Sequence, residues 1–217
     1  MTETPIDLSQ LYESILEGNA DRTIEITEQA LKASSDPHVL ITEYMIPAMD
    51  EAGRRFENNE FFVPELLIAA RAMKGALGLV RPLLAERGVE PVGRVVIGTV
   101  KGDLHDIGKG LVASMLEGGG FVVTDLGVDV SAEKFVDEAS KHDADIVAVS
   151  ALLTTTMTGM KKVVEAFAKA GMQNRCRIIV GGAPLTQQFA DSIGADGYSP
   201  NANGAVKLAR SIMAKPG

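Results

Sequence analysis

The stretch at 94–110, RVVIGTVKGDLHDIGKG, decides the fold. Its first seven residues form a short β-branched run, the pattern of a strand buried on both faces. A polar, glycine-containing segment follows, and helical spacing begins near 107. The same alternation repeats downstream. Residues 121–126 (FVVTDL), 145–150 (DIVAVS) and 177–181 (RIIVG) read as strands, and a short fifth strand is expected near 196–198. Helices are expected at about 107–117, 131–142, 156–170, 185–194 and 202–214. Strands that alternate with helices imply right-handed crossovers and a parallel sheet covered on both faces.

The predicted class is therefore α/β, a flavodoxin/Rossmann-like doubly wound five-stranded parallel sheet. The chain ahead of it has another rhythm. Residues 1–88 carry only helical periodicity, in four stripes: Leu8, Leu11 and Ile15; Ala20, Ile24, Thr27 and Leu31; Ile41, Met45, Met49, Ala52 and Phe56; and Leu66, Ala70, Met73, Leu77, Val80 and Leu84. Breaks fall at Gly18-Asn19, at Ser34-Ser35-Asp36-Pro37 and at Asn58-Asn59. Asp36 and Pro37 read as an N-cap followed by proline at the first helical position. Pro47 should kink the third helix. The expected organisation is an N-terminal four-helix bundle over 1–88, a linker around 88–93, and the sheet domain over 89–217.

Composition narrows the function. The net charge is -8, and no lysine–arginine cluster offers a surface for a nucleic-acid backbone or an anionic membrane. No apolar run reaches the ~20 residues of a membrane helix. The opening MTETPIDLSQ is polar and acidic, unlike a secretion signal. Cys176 is the single cysteine, so no internal disulfide can form. A cytoplasmic location fits these features. Cys176 itself reads as a small buried residue at the start of a strand.

In doubly wound folds ligands lie beyond the carboxyl ends of the strands. The segment after the first strand, Lys101-Gly102-Asp103-Leu104-His105-Asp106-Ile107-Gly108-Lys109-Gly110, is therefore the place to look. A Walker-type loop fails, because five residues separate Gly102 from Gly108 and Gly110 stands where the hydroxyl belongs. A dinucleotide fingerprint fits Gly108–Ala113 formally, with Asp129 about 20 residues on, but its first glycine falls eight positions past Val100 instead of at the strand end. Gly108 and Gly110 read more simply as permitting close helix–sheet packing. A flavin mononucleotide site would want more Ser and Thr. His105 is a ligand type suited to transition metals, and Asp103 and Asp106 flank it. His38 and His142 lie elsewhere, so no protein-only zinc set is apparent. One protein ligand makes sense where a macrocycle supplies the other four, as in a haem or a corrinoid. The competing reading is a solvated histidine between two helix-capping aspartates.

The run Asp103-Leu104-His105-Asp106-Ile107-Gly108 resembles the D-x-H-x-x-G motif of cobalamin-binding domains. That family includes methionine synthase, the cobalamin-dependent mutases and the corrinoid proteins of methyltransferase systems. Ser150-Ala151-Leu152 resembles its S-x-L segment, Gly181-Gly182 its glycine pair, and 197–202 its last turn beside the nucleotide tail. The helical half, from Gly53 through Phe62 to Met73, resembles the cap of methionine synthase and its corrinoid relatives.

The resemblance implies a bound cobalamin or related corrinoid, with His105 as the lower cobalt ligand and Asp103 bonded to its other nitrogen. Thr156 would stand at the triad's hydroxyl position, where methionine synthase has serine. Asp103 and Thr156 would then couple cobalt's charge to a proton. Ser150 and Thr154 would hydrogen-bond the buried benzimidazole, although an ordinary helix cap is the simpler role for such residues. Gly102, Leu104 and Asp106 would line the corrin edge with Gly108 and Leu152 nearby, and Gly181, Gly182 and Ala202 would leave room for the tail. Phe62 and Leu66 would cap the upper face, with the linker as hinge. Judged alone, both are ordinary core residues. The implied function is that of a methyl-carrying corrinoid subunit, not itself catalytic. It would be loaded on Co(I) by a substrate-specific methyltransferase and unloaded by a second one onto tetrahydrofolate or a thiol, with a reductive activase in support. A cobalamin sensor is the alternative, weakened by the lack of a helix-turn-helix segment. An NAD-dependent enzyme leaves Asp103 and His105 unexplained.

Overall fold

The computed structural model describes residues 7–214, so part of the acidic opening stretch lies outside the described residues. They form two compact units. One holds the chain up to Glu90 together with Glu117–Gly120, and the other holds Pro91–Leu116 and the chain from Phe121 on.

The first unit is helical. Helix α1 (Ser9–Leu16) is followed by α2 (Ala20–Lys32), a short α3 (Pro37–Val39), a π-helical segment (Leu40–Met45), α4 (Ile46–Glu57) and the long α5 (Val63–Glu86). The breaks fall where the polar turns stand. Gly18 and Asn59 adopt positive φ, and the side chains of Asn19 and Asp36 accept from the first-turn amides of Arg22 and His38. Pro47 does not simply kink its helix. It stands in the first turn of α4, directly after the π-helical segment, whose longer hydrogen-bond spacing lets the chain pass a residue with no N–H to give. The buried face of α2 also departs from the predicted stripe. It carries Thr23, Ile26, Thr27 and Ala30, while Ala20, Ile24 and Leu31 stay partly exposed. The threonines tolerate burial because their hydroxyls bond locally. Thr27 donates to the Thr23 carbonyl (2.7 Å), and Thr23 bonds the Ser14 hydroxyl (2.9 Å). The α5 stripe is buried as its spacing predicts, from Leu66 through Met73 and Leu77 to Leu84.

The second unit is a five-stranded, all-parallel sheet in the order β2-β1-β3-β4-β5. Its strands are β1 (Arg94–Thr99), β2 (Val122–Asp125), β3 (Ile146–Ser150), β4 (Arg177–Gly181) and β5 (Gly197–Ser199). Between and after them run α6 (Ile107–Gly118), α7 (Ala132–Lys141), α8 (Thr158–Lys169), α9 (Gln187–Ile193) and α10 (Ala202–Met213). The near-continuous apolar strands β1, β3 and β4 are buried over most of their length, whereas the edge strand β2 is only partly buried. Phe135, Phe167, Val147 and Val180 belong to one core cluster. Strand order reverses between β1 and β3, so the crossovers that leave these neighbouring strands diverge and open a crevice at their carboxyl ends. The register pairs Thr99 with Ser150 and Ser150 with Gly181, so three segments of the sequence reading converge on that edge.

A buried carboxylate and a half-exposed imidazole at the strand switch point

Asp103 leaves the end of β1 and turns inward, its side chain fully buried. A lone buried carboxylate would be costly, and here five contacts meet it. Its Oδ2 accepts from the amides of Leu152 (2.8 Å) and Leu153 (3.3 Å), just past β3, and from the Thr156 hydroxyl (2.7 Å). Its Oδ1 accepts from the His105 amide (3.1 Å) and meets the His105 ring at Nδ1 (2.6 Å). Burial opposes ionisation of Asp103. The hydrogen bonds from Thr156, Leu152 and His105 outweigh it and hold the carboxyl well below the usual carboxylate range.

This carboxylate fixes the histidine. With Nδ1–H donated to Asp103, the proton-free lone pair belongs to Nε2, the nitrogen on the outer side of the ring. The side chain as a whole is half-exposed. The loop is also held from below. The buried Thr99 hydroxyl donates to the His105 carbonyl (2.9 Å), and the Asp129 carboxylate accepts from the Gly102 amide (2.8 Å) and pairs with Lys101 (2.8 Å). Thr156 has one proton and two acceptors, Asp103 and the Leu153 carbonyl (2.9 Å), so its hydroxyl can turn between them as the charge on Asp103 changes.

The surroundings suit a large, flat, partly apolar ligand. Four bulky apolar side chains stand partly or largely in solvent on these two segments and the start of α6: Leu104 and Ile107 are 72% and 86% exposed, and Leu152 and Leu153 each 42%. Such a cluster beside a polar centre marks a binding surface. A methyl group added at Gly108 or Gly110 would meet nothing within 4 Å. These glycines therefore do not serve close helix–sheet packing, as their place in the sequence predicts; they leave open space along α6. Among the described residues, no three His, Cys, Asp or Glu side chains are grouped to hold a metal. A metal bound by His105 would take its other ligands from the cofactor. The residues present fit a corrinoid in each of these respects.

Neither Ser150 nor Thr154 caps α8; Met157 occupies that position, and Ser150 instead ends β3. Gly182 has φ +144°, and a Cβ there would lie 1.9 Å from the Ala151 carbonyl oxygen, so the β3–β4 edge closes only around a glycine. Ala202 is buried at the start of α10, where Asn201 accepts from the Gly204 amide. Asp106 does not cap α6 with its side chain but pairs with Lys109 (2.7 Å). Asp129, the acidic residue a dinucleotide site would need, is engaged by Gly102 and Lys101. In the helical unit Phe62 is 62% exposed, whereas Leu66 is fully buried. Leu66 is thus a core side chain, and the exposed apolar residues beside it are Phe62, Val63, Leu67 and Ile68. Cys176 is buried just before β4, and that burial pushes its thiol up to about 12, which leaves it unreactive near neutral pH. No helix among the described residues is long and apolar enough to cross a membrane.

The Asp103 network carries a pH signature. Its carboxyl is depressed in the folded chain, so below about 3.8 the unfolded chain takes up a proton that the folded chain refuses. The stability it contributes is complete above that value and is lost as pH falls below it. Asp103→Asn should remove on the order of 2 kcal/mol at pH 7 and flatten the fall in stability below pH 4, read by urea unfolding across pH.

Comparison with known proteins agrees with this geometry. Residues 93–207 match the B12 binding domain family, and residues 8–81 match a second B12 binding domain family. The dimethylamine corrinoid protein of Methanosarcina barkeri is 38% identical over 208 residues, 95% of this chain and 97% of that protein. Trimethylamine corrinoid protein 1 of Methanosarcina acetivorans is 39% identical over 208 residues, 95% of this chain and 96% of that protein. A cobalamin-binding protein of Desulfitobacterium hafniense superposes with a TM-score of 0.78 at 31% identity, covering 95% of this chain and 98% of that one. The methanol:cobalamin methyltransferase complex MtaBC of Methanosarcina barkeri superposes with a TM-score of 0.84 at 28% identity, covering 100% of this chain and 87% of that one. The chain belongs to the family of two-domain corrinoid proteins that bind cobalamin or a related corrinoid.

Proposed function

We propose that the protein is the methyl-carrying corrinoid subunit of a multi-component methyltransferase system, with His105 as the lower cobalt ligand. The observation that carries this reading is the half-exposed imidazole whose Nδ1 is held by the buried Asp103. When bound, a corrinoid supplies a cobalt centre able to accept and release a methyl group. The chain supplies the rest. Asp103 fixes the ring and its tautomer, and Thr156 answers a change in the charge of Asp103 by turning its proton. Leu104, Ile107, Leu152 and Leu153 would lie against the macrocycle, and Gly102 and Asp106 at its edge. The open side of α6 at Gly108 and Gly110, together with Ser150, Thr154, Gly181, Gly182 and Ala202, would receive the nucleotide tail. Phe62 and its exposed apolar neighbours would supply the water-excluding cover. In this reading residues 1–88 are the cap domain and 89–217 the cobalamin-binding domain.

The relatives are corrinoid proteins named for dimethylamine and trimethylamine, and a solved neighbour is a methanol:cobalamin methyltransferase complex. They support a substrate-specific methyltransferase as one partner. A second methyltransferase, with tetrahydrofolate or a thiol as acceptor, and a reductive activase complete the proposed cycle. The test is spectroscopic. Purified protein reconstituted with hydroxocobalamin should hold the cofactor through gel filtration, change its visible spectrum on reduction, and change it again when methyl iodide is added. Methyl transfer to a thiol or to tetrahydrofolate should then require a second enzyme. Protein that emerges colourless, or that transfers the methyl group unaided, contradicts the proposal.

A further inference from the structure

One buried charge near the site has no part in the scheme above. The Lys109 side chain is 1% exposed, in the first turn of α6 and four residues after His105. Its ammonium pairs with Asp106, beside the imidazole, at 2.7 Å, and with both carboxylate oxygens of Asp125 at the end of β2. Asp125 is itself anchored, for its Oδ1 also accepts from the Gly127 amide (2.9 Å). A lysine gives up its hydration only where fixed partners replace the water, and a pair of carboxylates from two different segments does so. The residues around Lys109 are otherwise apolar or small: Ile107, Gly108, Gly110, Leu111, Val112 and Ala113. Nothing about helix formation calls for a charge there. The cation instead joins three pieces of chain: the loop of His105 through Asp106, the helix that follows it, and the outer strand.

We propose that Lys109 is a positioning residue for the metal-ligating loop, tying Asp106 and the start of α6 to Asp125 so that His105 is presented in one orientation. Asp103 fixes the ring, and Lys109, through Asp106, fixes the backbone that bears it. The proposal rests on the reading of His105 as cobalt ligand, but its first test needs no cofactor. In the cofactor-free protein, Lys109→Met should speed amide hydrogen exchange at His105 and at Leu152, which donates to Asp103, by roughly tenfold, with α8 and β4 unchanged. The second test uses cob(II)alamin. In protein grown with 15N-histidine, the electron paramagnetic resonance signal of the wild type should show the doublet splitting of a coordinated histidine, and Lys109→Met should lower the doublet fraction several-fold.

The double variant Lys109→Met/Asp125→Leu separates position from stability. It also removes the Asp125 carboxylate left without its cation and should be no less stable than Lys109→Met, yet it should keep the fast exchange and the reduced splitting. Wild-type exchange in Lys109→Met, or full splitting in the double variant, overturns the proposal. If the wild-type protein shows no histidine splitting while exchange still accelerates in Lys109→Met, the ligand reading of His105 fails and the loop-anchoring role of Lys109 stands.

Discussion

His105→Ala should fold with nearly wild-type stability and lose its hold on a corrinoid. The first half follows from what remains around Asp103. Removing the imidazole takes away one ring contact, but the amides of Leu152 and Leu153 and the Thr156 hydroxyl still meet the buried carboxylate. The charge is not orphaned, and the loss should be about 1 kcal/mol, the scale of one hydrogen bond. The second half follows from the ligand set. The other two histidines, His38 in α3 and His142 after α7, lie on other elements, so no second imidazole stands by to replace the missing nitrogen. Retention of hydroxocobalamin should fall at least roughly 10–100-fold, as read by equilibrium dialysis. A variant that unfolds, or one that keeps wild-type affinity, contradicts the assignment.

Gly182→Ala should be the most damaging small substitution in the sheet domain. Its added methyl group would fall 1.9 Å from the Ala151 carbonyl oxygen and 3.0 Å from the carbonyl carbon. These are main-chain atoms, so no side-chain rotation relieves the clash. The backbone there also has φ +144°, which an L side chain resists. Together these should cost roughly 3 kcal/mol or more, a large share of the ~5–15 kcal/mol of a typical domain. The damage should also reach the metal-binding side. Ala151 precedes Leu152, whose amide holds Asp103, so displacing one moves the other. Urea unfolding and cofactor retention should therefore fall together in Gly182→Ala. Loss of stability with intact retention would show that the two are not linked.

The parallel sheet was legible because buried strands leave continuous β-branched runs, and each run here stands where a strand forms. The helical unit was less so. The α2 stripe includes Thr27 but misses Thr23, which looks polar in sequence yet satisfies its hydroxyl on the Asn19 carbonyl one turn back and goes inside. Pro47 pointed to a kink, but the preceding π-helical turn absorbs the missing N–H. At the site, Asp103, His105 and Thr156 follow from the motif resemblance, because the motif fixes which residues meet across β1 and β3. The burial of Leu66 follows from the α5 stripe; the exposure of Phe62 does not, since periodicity cannot say where a stripe meets solvent. Gly108 and Gly110 were misjudged for a related reason: glycine permits close packing or open space equally, and only the neighbours decide. Lys109 went unread although one cation stood in an apolar helical stretch. Its partner Asp125 lies on another strand, and sequence spacing alone gives no sign of that pairing.

The direct test of His105 as the cobalt ligand is electron paramagnetic resonance of cob(II)alamin bound to protein grown with 15N-histidine. If His105 Nε2 holds the cobalt, the nitrogen splitting of each cobalt line changes from a triplet in unlabelled protein to a doublet in labelled protein, and the doublet is absent from labelled His105→Ala. A triplet that persists after labelling would mean that the benzimidazole nitrogen of the cofactor still occupies the lower position, and His105 would not be the ligand.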